Sequence, residues 1–194
     1  MKTYGLLLVG GRSARMGQDK ATMLHPDGRT LWQRGVDLLE ECCDRVHLSL
    51  REDQESRPFA VASHPPILLR DQSNTGDGPM AGLMSAFQHA PDVRWLVMSC
   101  DLPRADARTL RHLIDSHREE EAFLAYRSEF DGLPEPLCAL YAPQAYAFLQ
   151  AALDKKFCCP RKVLIHHQCR LLDPVVARAL ENTNTPQEWE HALL

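Results

Sequence analysis

The apolar run Leu6-Leu7-Leu8-Val9 leads directly into Gly10-Gly11, and Arg12, Arg15 and Lys20 follow. An apolar run of that length bounded by glycine reads as a buried strand ending in a turn. In an open α/β sheet such a turn lies at the carboxyl end of the strand, where ligands bind. Gly10 and Gly11 let backbone N–H groups come close to an anion, because no side chain intervenes. Three cations beside them suit a polyphosphate whose negative charge grows during transfer. The segment is not a Walker A loop, since Gly17-Gln18-Asp19-Lys20 lacks the Gly-Lys-Ser/Thr ending. Gly10, Gly11 and Gly17 also miss the G-x-G-x-x-G spacing. On the residues alone, an ordinary βα turn with a solvated basic rim remains the competing reading.

Further along, short apolar runs alternate with stretches of helical period, which predicts an α/β domain with a mainly parallel sheet. Strands are expected at Tyr4–Val9, Arg45–Leu50, Pro66–Leu69, Trp95–Ser99 and Ala122–Tyr126. A sixth, Pro136–Tyr141, starts at proline and is expected at an edge or antiparallel. Helices are expected over Thr30–Cys43, Pro79–Ala90, Asp106–His117 and Pro143–Asp154, with a short one after Pro160 and a closing one from Pro186. Asp106 is the expected N-cap of its helix, and Pro79 sits at the first helical position after Gly78. A small strand is expected near Leu171-Leu172, and Arg51–Pro66 reads as a surface connection or variable helix. No repeat or linker divides the 194 residues, so one domain over 1–194 is expected.

Lys+Arg 22 against Asp+Glu 26 gives a net charge of −4, which leaves no broad electrostatic footprint for nucleic acid or an anionic membrane. The apolar runs fall far short of the roughly 20 residues a membrane span needs. The first five residues lead into a buried strand and not a secretory signal. Seven cysteines without framework spacing fit a reduced, cytoplasmic protein. Cys158-Cys159, His166-His167 and Cys169 lack zinc-site spacing, and Cys42-Cys43 reads as packing. Cys100, beside Asp101, is either a reactive thiol or, as we favour, a packing residue. Asp101 follows the apolar strand Trp95–Ser99 directly; by itself it is as readily a turn former as a hard oxygen ligand.

The loop Leu8-Val9-Gly10-Gly11-Arg12-Ser13-Ala14-Arg15-Met16-Gly17-Gln18-Asp19-Lys20 resembles the L-x-G-G-x-S-x-R-M-G-x-D-K signature of nucleoside-triphosphate nucleotidyltransferases. The likeness returns at Asp71 with Gly78-Pro79-Met80-Ala81-Gly82, at Ser99-Cys100-Asp101-Leu102-Pro103, at Glu135–Tyr141 and at Asn182-Thr183-Asn184-Thr185-Pro186. In that order, the blocks resemble the molybdenum cofactor guanylyltransferase family across nearly the whole chain. The resemblance implies a single-domain Rossmann-like three-layer sandwich and transfer of GMP from GTP to the phosphate of molybdopterin, releasing pyrophosphate.

It also implies roles. Leu8, Val9, Gly10 and Gly11 would hold the nucleotide, Lys20 would reach its phosphates, and Arg15 would steady the departing pyrophosphate. Asp71 and Gly78 would contact the nucleoside. Asp101 would bind Mg²⁺, with Mn²⁺ as the alternative. Arg161 and Lys162 would take the acceptor's terminal phosphate, and Asn182 and Asn184 would line the pterin side or organise the metal. Ser49 would face the nucleotide where the family carries asparagine, which leaves guanine against cytosine open. Arg15, Lys20 and Asp101 are the expected catalytic residues. A molybdenum-insertion protein or apo-molybdoenzyme would receive the product. The alternatives are cytidylyl transfer, another phosphorylated acceptor, or a silent nucleotide-binding module that delivers cofactor.

Overall fold

Leu6 and Leu8 point to one side of the first strand and Leu7 and Val9 to the other, and all four are buried. This two-sided burial fits a strand whose sheet is covered on both faces. The computed structural model describes residues 1–10, 19–55, 66–71, 78–183 and 188–189. Their strands are β1 (Thr3–Leu8), β2 (Arg45–Leu50), β3 (Ile67–Arg70), β4 (Arg94–Ser99), β5 (Phe123–Arg127), β6 (Pro134–Tyr141) and β7 (Arg170–Leu172). The helices are α1 (Leu31–Glu40), α2 (Pro79–His89), α3 (Ala107–Ser116), α4 (Ala145–Asp154) and α5 (Pro160–His166). The strands form one sheet in the order β3-β2-β1-β4-β6-β5-β7. Within it β6 alone runs against the others.

The layers follow from the two-residue period of the strands. Leu7, Leu48, Leu96 and Met98 pack with Trp32, Val36 and Leu39 of α1 and Leu110 and Leu113 of α3. Leu6, Leu8, Trp95 and Val97 pack on the opposite face with Met80, Leu83 and Phe87 of α2, Leu149 of α4 and Leu164 of α5. The result is the expected three-layer α/β sandwich. Two glycines let helices lie close to β1. A Cβ at Gly35 of α1 would fall 2.7 Å from both Leu7 methyl carbons. One at Gly82 of α2 would fall 2.4 Å from the Ser49 hydroxyl and 2.7 Å from a Leu8 methyl carbon.

Local signals set the helix starts. Thr30 and Gln33 form a reciprocal capping box at α1. Asp106 caps α3 by accepting from the Thr109 N–H at 2.8 Å, as expected. Gly78, at φ 59°, turns the chain into Pro79 and α2.

The sixth strand takes the second of its two expected placements: β6 is antiparallel, and it lies inside the sheet, between β4 and β5. Its prolines are tolerated because Pro134 and Glu135 pair only with β5, and pairing to β4 begins at Cys138, opposite Met98. The proline-rich start thus overhangs β4, where the missing N–H groups are not required. The expected closing helix from Pro186 falls largely outside the described residues. No helix among the described residues is long and apolar enough to cross a membrane.

His47 of β2 is fully buried between aromatic rings, stacked on Tyr4 at 5.3 Å and edge-on to Trp95 at 4.9 Å. Burial, helped by His89 and Arg45, lowers its pKa from 6.5 to about 4. The folded chain keeps this ring neutral, whereas the unfolded chain protonates it below its ordinary value. Stability should therefore fall as pH drops from about 6.5 to about 4, by about 3 kcal/mol from this group. Urea melts across that range should show this acid limb in the wild type and a flatter one in His47→Phe.

Candidate functional site

The register brings the functional blocks to one rim. Leu8 lies opposite both Ser49 and Ser99, and Ser49 lies opposite Leu69. The ladder continues just beyond the strands, with Val9 N–H donating to Ser49 O, Cys100 N–H to Leu8 O and Asp71 N–H to Leu50 O. Gly10, Arg51, Asp71 and Asp101 therefore emerge side by side at the carboxyl ends of adjacent parallel strands, where open α/β sheets hold ligands.

Lys20 returns to this rim after the glycine loop. Asp19 caps a single 3₁₀ turn, Lys20–Thr22, by accepting from the Ala21 N–H at 3.0 Å. The Lys20 Nζ then lies 3.5 Å from Asp101 Oδ2, with both side chains largely buried. The other carboxylate oxygen, Asp101 Oδ1, is buried and has no hydrogen-bond partner among the described residues. An anionic oxygen in that condition is costly unless a cation completes it. A hard divalent cation fits this donor, and Mg²⁺ characteristically takes one or two carboxylates together with substrate phosphates and water. Among the described residues no group of three or more His, Cys, Asp or Glu is placed to hold a metal ion. Phosphate oxygens and water would thus supply the remaining ligands.

The loop bearing Asp101 is braced twice. Thr183 N–H donates to the Asp101 main-chain carbonyl at 3.2 Å, which draws the block that begins at Asn182 against the backbone of Asp101. Arg34 of α1 donates through Nη2 to Pro103 O at 3.0 Å and Ala105 O at 3.2 Å. Sequence reasoning missed Arg34, because nothing in a polar residue on an amphipathic helix announces two distant carbonyls. It also missed Gln54, which is buried in the connection after β2 and bonded to Val9 and Asp19. Cys100 is buried beside Asp101, and burial pushes its thiol far up, which fits packing and not reactivity.

Ser49, expected to face the nucleotide, is only 3% exposed, lies beneath Gly82, and donates its hydroxyl to Asp71 Oδ1 at 3.1 Å. That bond orients Asp71. Burial raises the Asp71 pKa, while the Ser49 hydrogen bond and the charge of Arg51 oppose the rise. Leu8 and Val9 have buried side chains, and the Leu8 carbonyl and both Val9 backbone groups already bond within the protein. Gly10 is the described residue of the loop that stands clear of the strand, and its carbonyl accepts from Arg51 Nη1 at 2.8 Å. Gly78 is exposed at the start of α2. Gly11, Arg15 and Asn184 lie outside the described residues.

The expected basic pair is divided. Arg161 lines a cavity of about 500 Å³ with Asn182, Glu135 and Asp131. Its guanidinium bonds to Asp131 at 2.9 Å and to Glu135 at 3.1 Å. Lys162 instead lies over the Phe157 ring at 5.5 Å and lines a separate groove of about 540 Å³ along α4 and α5. Consecutive helical residues point about 100° apart, so the two cations cannot share one phosphate without rearrangement. Of the pair, Arg161 is the residue associated with the Asp101 rim, through Asn182 and Thr183.

A model of the MobA-like NTP transferase domain matches residues 5–172. A molybdenum cofactor biosynthesis bifunctional protein from Synechocystis is 34% identical over 96% of this chain, which spans about half (52%) of that relative's length. A molybdenum cofactor guanylyltransferase from Pseudomonas fluorescens is 28% identical over 94% of the chain and 89% of the relative. The fold matches that of a molybdopterin-guanine dinucleotide biosynthesis protein A from Archaeoglobus fulgidus, with TM-score 0.77, 21% identity and coverage of 97% and 96% of the two chains. With Gly10, Lys20 and Asp101 at one rim of a mainly parallel sheet, the chain belongs to the MobA-like NTP transferase family.

Proposed function

We propose that the protein transfers GMP from GTP to the terminal phosphate of molybdopterin cofactor and releases pyrophosphate. The observation that carries this reading is the half-paired carboxylate of Asp101, one oxygen 3.5 Å from Lys20 and the other buried without a partner among the described residues. Such a group suits a triphosphate–metal complex better than a neutral ligand. Asp101 would hold a divalent ion, Mg²⁺ or Mn²⁺, and the chemistry supplied by such an ion would be charge neutralisation on the triphosphate.

The chain's own groups do the rest. Gly10 lets the backbone approach the phosphates, and Lys20 stabilises charge on them. Arg15 serves the departing pyrophosphate. An acceptor phosphate oxygen forms a bond to the α-phosphorus as the bond to the β-phosphate oxygen breaks, and the electron pair leaves with pyrophosphate. The attacking phosphate is already ionised at neutral pH, so positioning and charge neutralisation suffice without a general base.

The Ser49–Asp71 pair supports guanine. A carboxylate accepts hydrogen bonds only, which suits the adjacent N1–H and amino donors of guanine, whereas cytosine offers it a single amino donor beside the N3 acceptor. The acceptor would enter the cavity lined by Arg161 and Asn182. Its many carboxylates suit the N–H groups of a pterin, and Arg161 meets the phosphate by exchanging one of its carboxylate partners.

Pyrophosphate release should be measured for the purified protein with Mg²⁺ and molybdopterin cofactor, comparing GTP, CTP, ATP and UTP. GTP should exceed CTP in kcat/KM by about 100-fold or more, as expected where a polar site meets the wrong hydrogen-bonding edge. Preference for CTP would reverse the base assignment, and no release with any nucleotide would remove the acceptor. Asp101→Ala should lower kcat by about 10²–10³-fold, in the range of lost electrostatic stabilisation, while GTP affinity changes only a few fold. An unchanged kcat would remove Asp101 from the metal–triphosphate site, whereas GTP binding without turnover in the wild type would leave a binding and delivery module as the better reading.

A further inference from the structure

Gln54 belongs to no helix or strand, yet its side chain is buried and its amide is fully used. Nε2 donates one hydrogen to Val9 O at 3.1 Å and the other to Asp19 Oδ2 at 3.0 Å. Oε1 accepts from the Arg51 N–H at 3.2 Å. The orientation of the amide is determined by its partners. Turned over, its oxygen would face a carbonyl and a carboxylate, and its nitrogen would face an N–H group.

We propose that Gln54 is a positioning residue for nucleotide binding, tying the two ends of the glycine loop together. The proposal rests on assigning that loop to the nucleotide. Val9 is the last residue before Gly10-Gly11, and Asp19 is the last before Lys20. One side chain therefore bridges the entry and the exit of the loop.

The chemistry favours this residue type. A carbonyl and a carboxylate facing the same small volume repel, so the group between them must offer two donors. The Arg51 N–H on the third side requires an acceptor. A neutral amide supplies both, whereas a hydroxyl has one donor, an ammonium has no acceptor, and asparagine is one methylene short. Arg51 extends the tie, since its guanidinium donates to Gly10 O at 2.8 Å. On the other side, Asp19 caps the turn that carries Lys20 toward Asp101. Holding the loop ends before ligand arrives reduces the ordering that the nucleotide must impose, which appears as affinity.

The test measures GTP affinity by calorimetry and, separately, the KM of the acceptor. Gln54→Leu keeps the bulk and removes all three bonds. Gln54→Glu sets a carboxylate against Asp19 and Val9 O. Combining Gln54→Glu with Asp19→Asn supplies a donor to the new carboxylate while the remaining oxygen at position 19 still caps Ala21. The Kd for GTP should rise about tenfold or more in Gln54→Leu and further in Gln54→Glu. The double variant should recover part of the Gln54→Glu loss, with acceptor KM staying within about twofold throughout. Failure of the wild type to bind GTP overturns the nucleotide assignment and the tie with it. Wild-type binding with an unchanged Kd in both single variants overturns the tie alone. A loss that appears equally in acceptor KM and in melting temperature, with no recovery in the double variant, also overturns it by reducing Gln54 to a scaffold contact.

Discussion

The carboxylate of Asp101 is the constraint around which the rest of the rim is arranged. One oxygen is 3.5 Å from the Lys20 ammonium, and the other is buried with no donor among the described residues. Burial of charge is unfavourable unless matched, and a single lysine at that distance leaves the pair incompletely matched. The chain supports this position with bonds that have no other evident purpose. Thr183 and Arg34 grip the backbone around Asp101, while Asp19 and Gln54 fix the approach of Lys20. A site held in an unsatisfied state by satisfied neighbours is prepared for a ligand that supplies the missing positive charge.

The sheet makes this arrangement possible. β1, β2, β3 and β4 run parallel and in register, so their following residues appear together at one edge although the sequence separates them widely. Gly35 and Gly82 allow a helix to press on each face of β1, which leaves the strand little freedom. On the α2 side the same contact buries Ser49 and turns its hydroxyl toward Asp71. Close packing and rim geometry are thus one feature at Gly82, since a larger residue there would displace the hydroxyl that orients the Asp71 carboxylate.

Most of the fold was legible because its signals are local. Strand limits agreed with expectation to within about two residues, and the caps at Asp106 and Pro79 appeared where their residue types placed them. The interior position of β6 was not legible, because strand order depends on partners far away in sequence. A proline-led strand reads as an edge unless one knows that its start overhangs its neighbour. In the site, Lys20 and Asp101 stood out through motif blocks, and the fold brings them together. Gln54 and Arg34 lay in segments without distinguishing pattern, since one polar side chain that bridges distant backbone groups leaves no periodic trace. The division of Arg161 from Lys162 also needed the helix itself, because adjacency in sequence conceals a difference in direction.

The central claim is that Asp101 completes a metal–nucleotide site and does not merely anchor Lys20. The most direct measurement is a Mn²⁺ titration followed by electron paramagnetic resonance, with GTP present, for the wild type and for Asp101→Asn. The substitution preserves size and removes the charge. The account predicts Mn²⁺ bound in the wild-type GTP complex and affinity weakened about tenfold or more in the variant, as expected for loss of a charged oxygen ligand. Equal Mn²⁺ affinity in the two proteins would contradict it, and would leave Asp101 as a structural partner of Lys20.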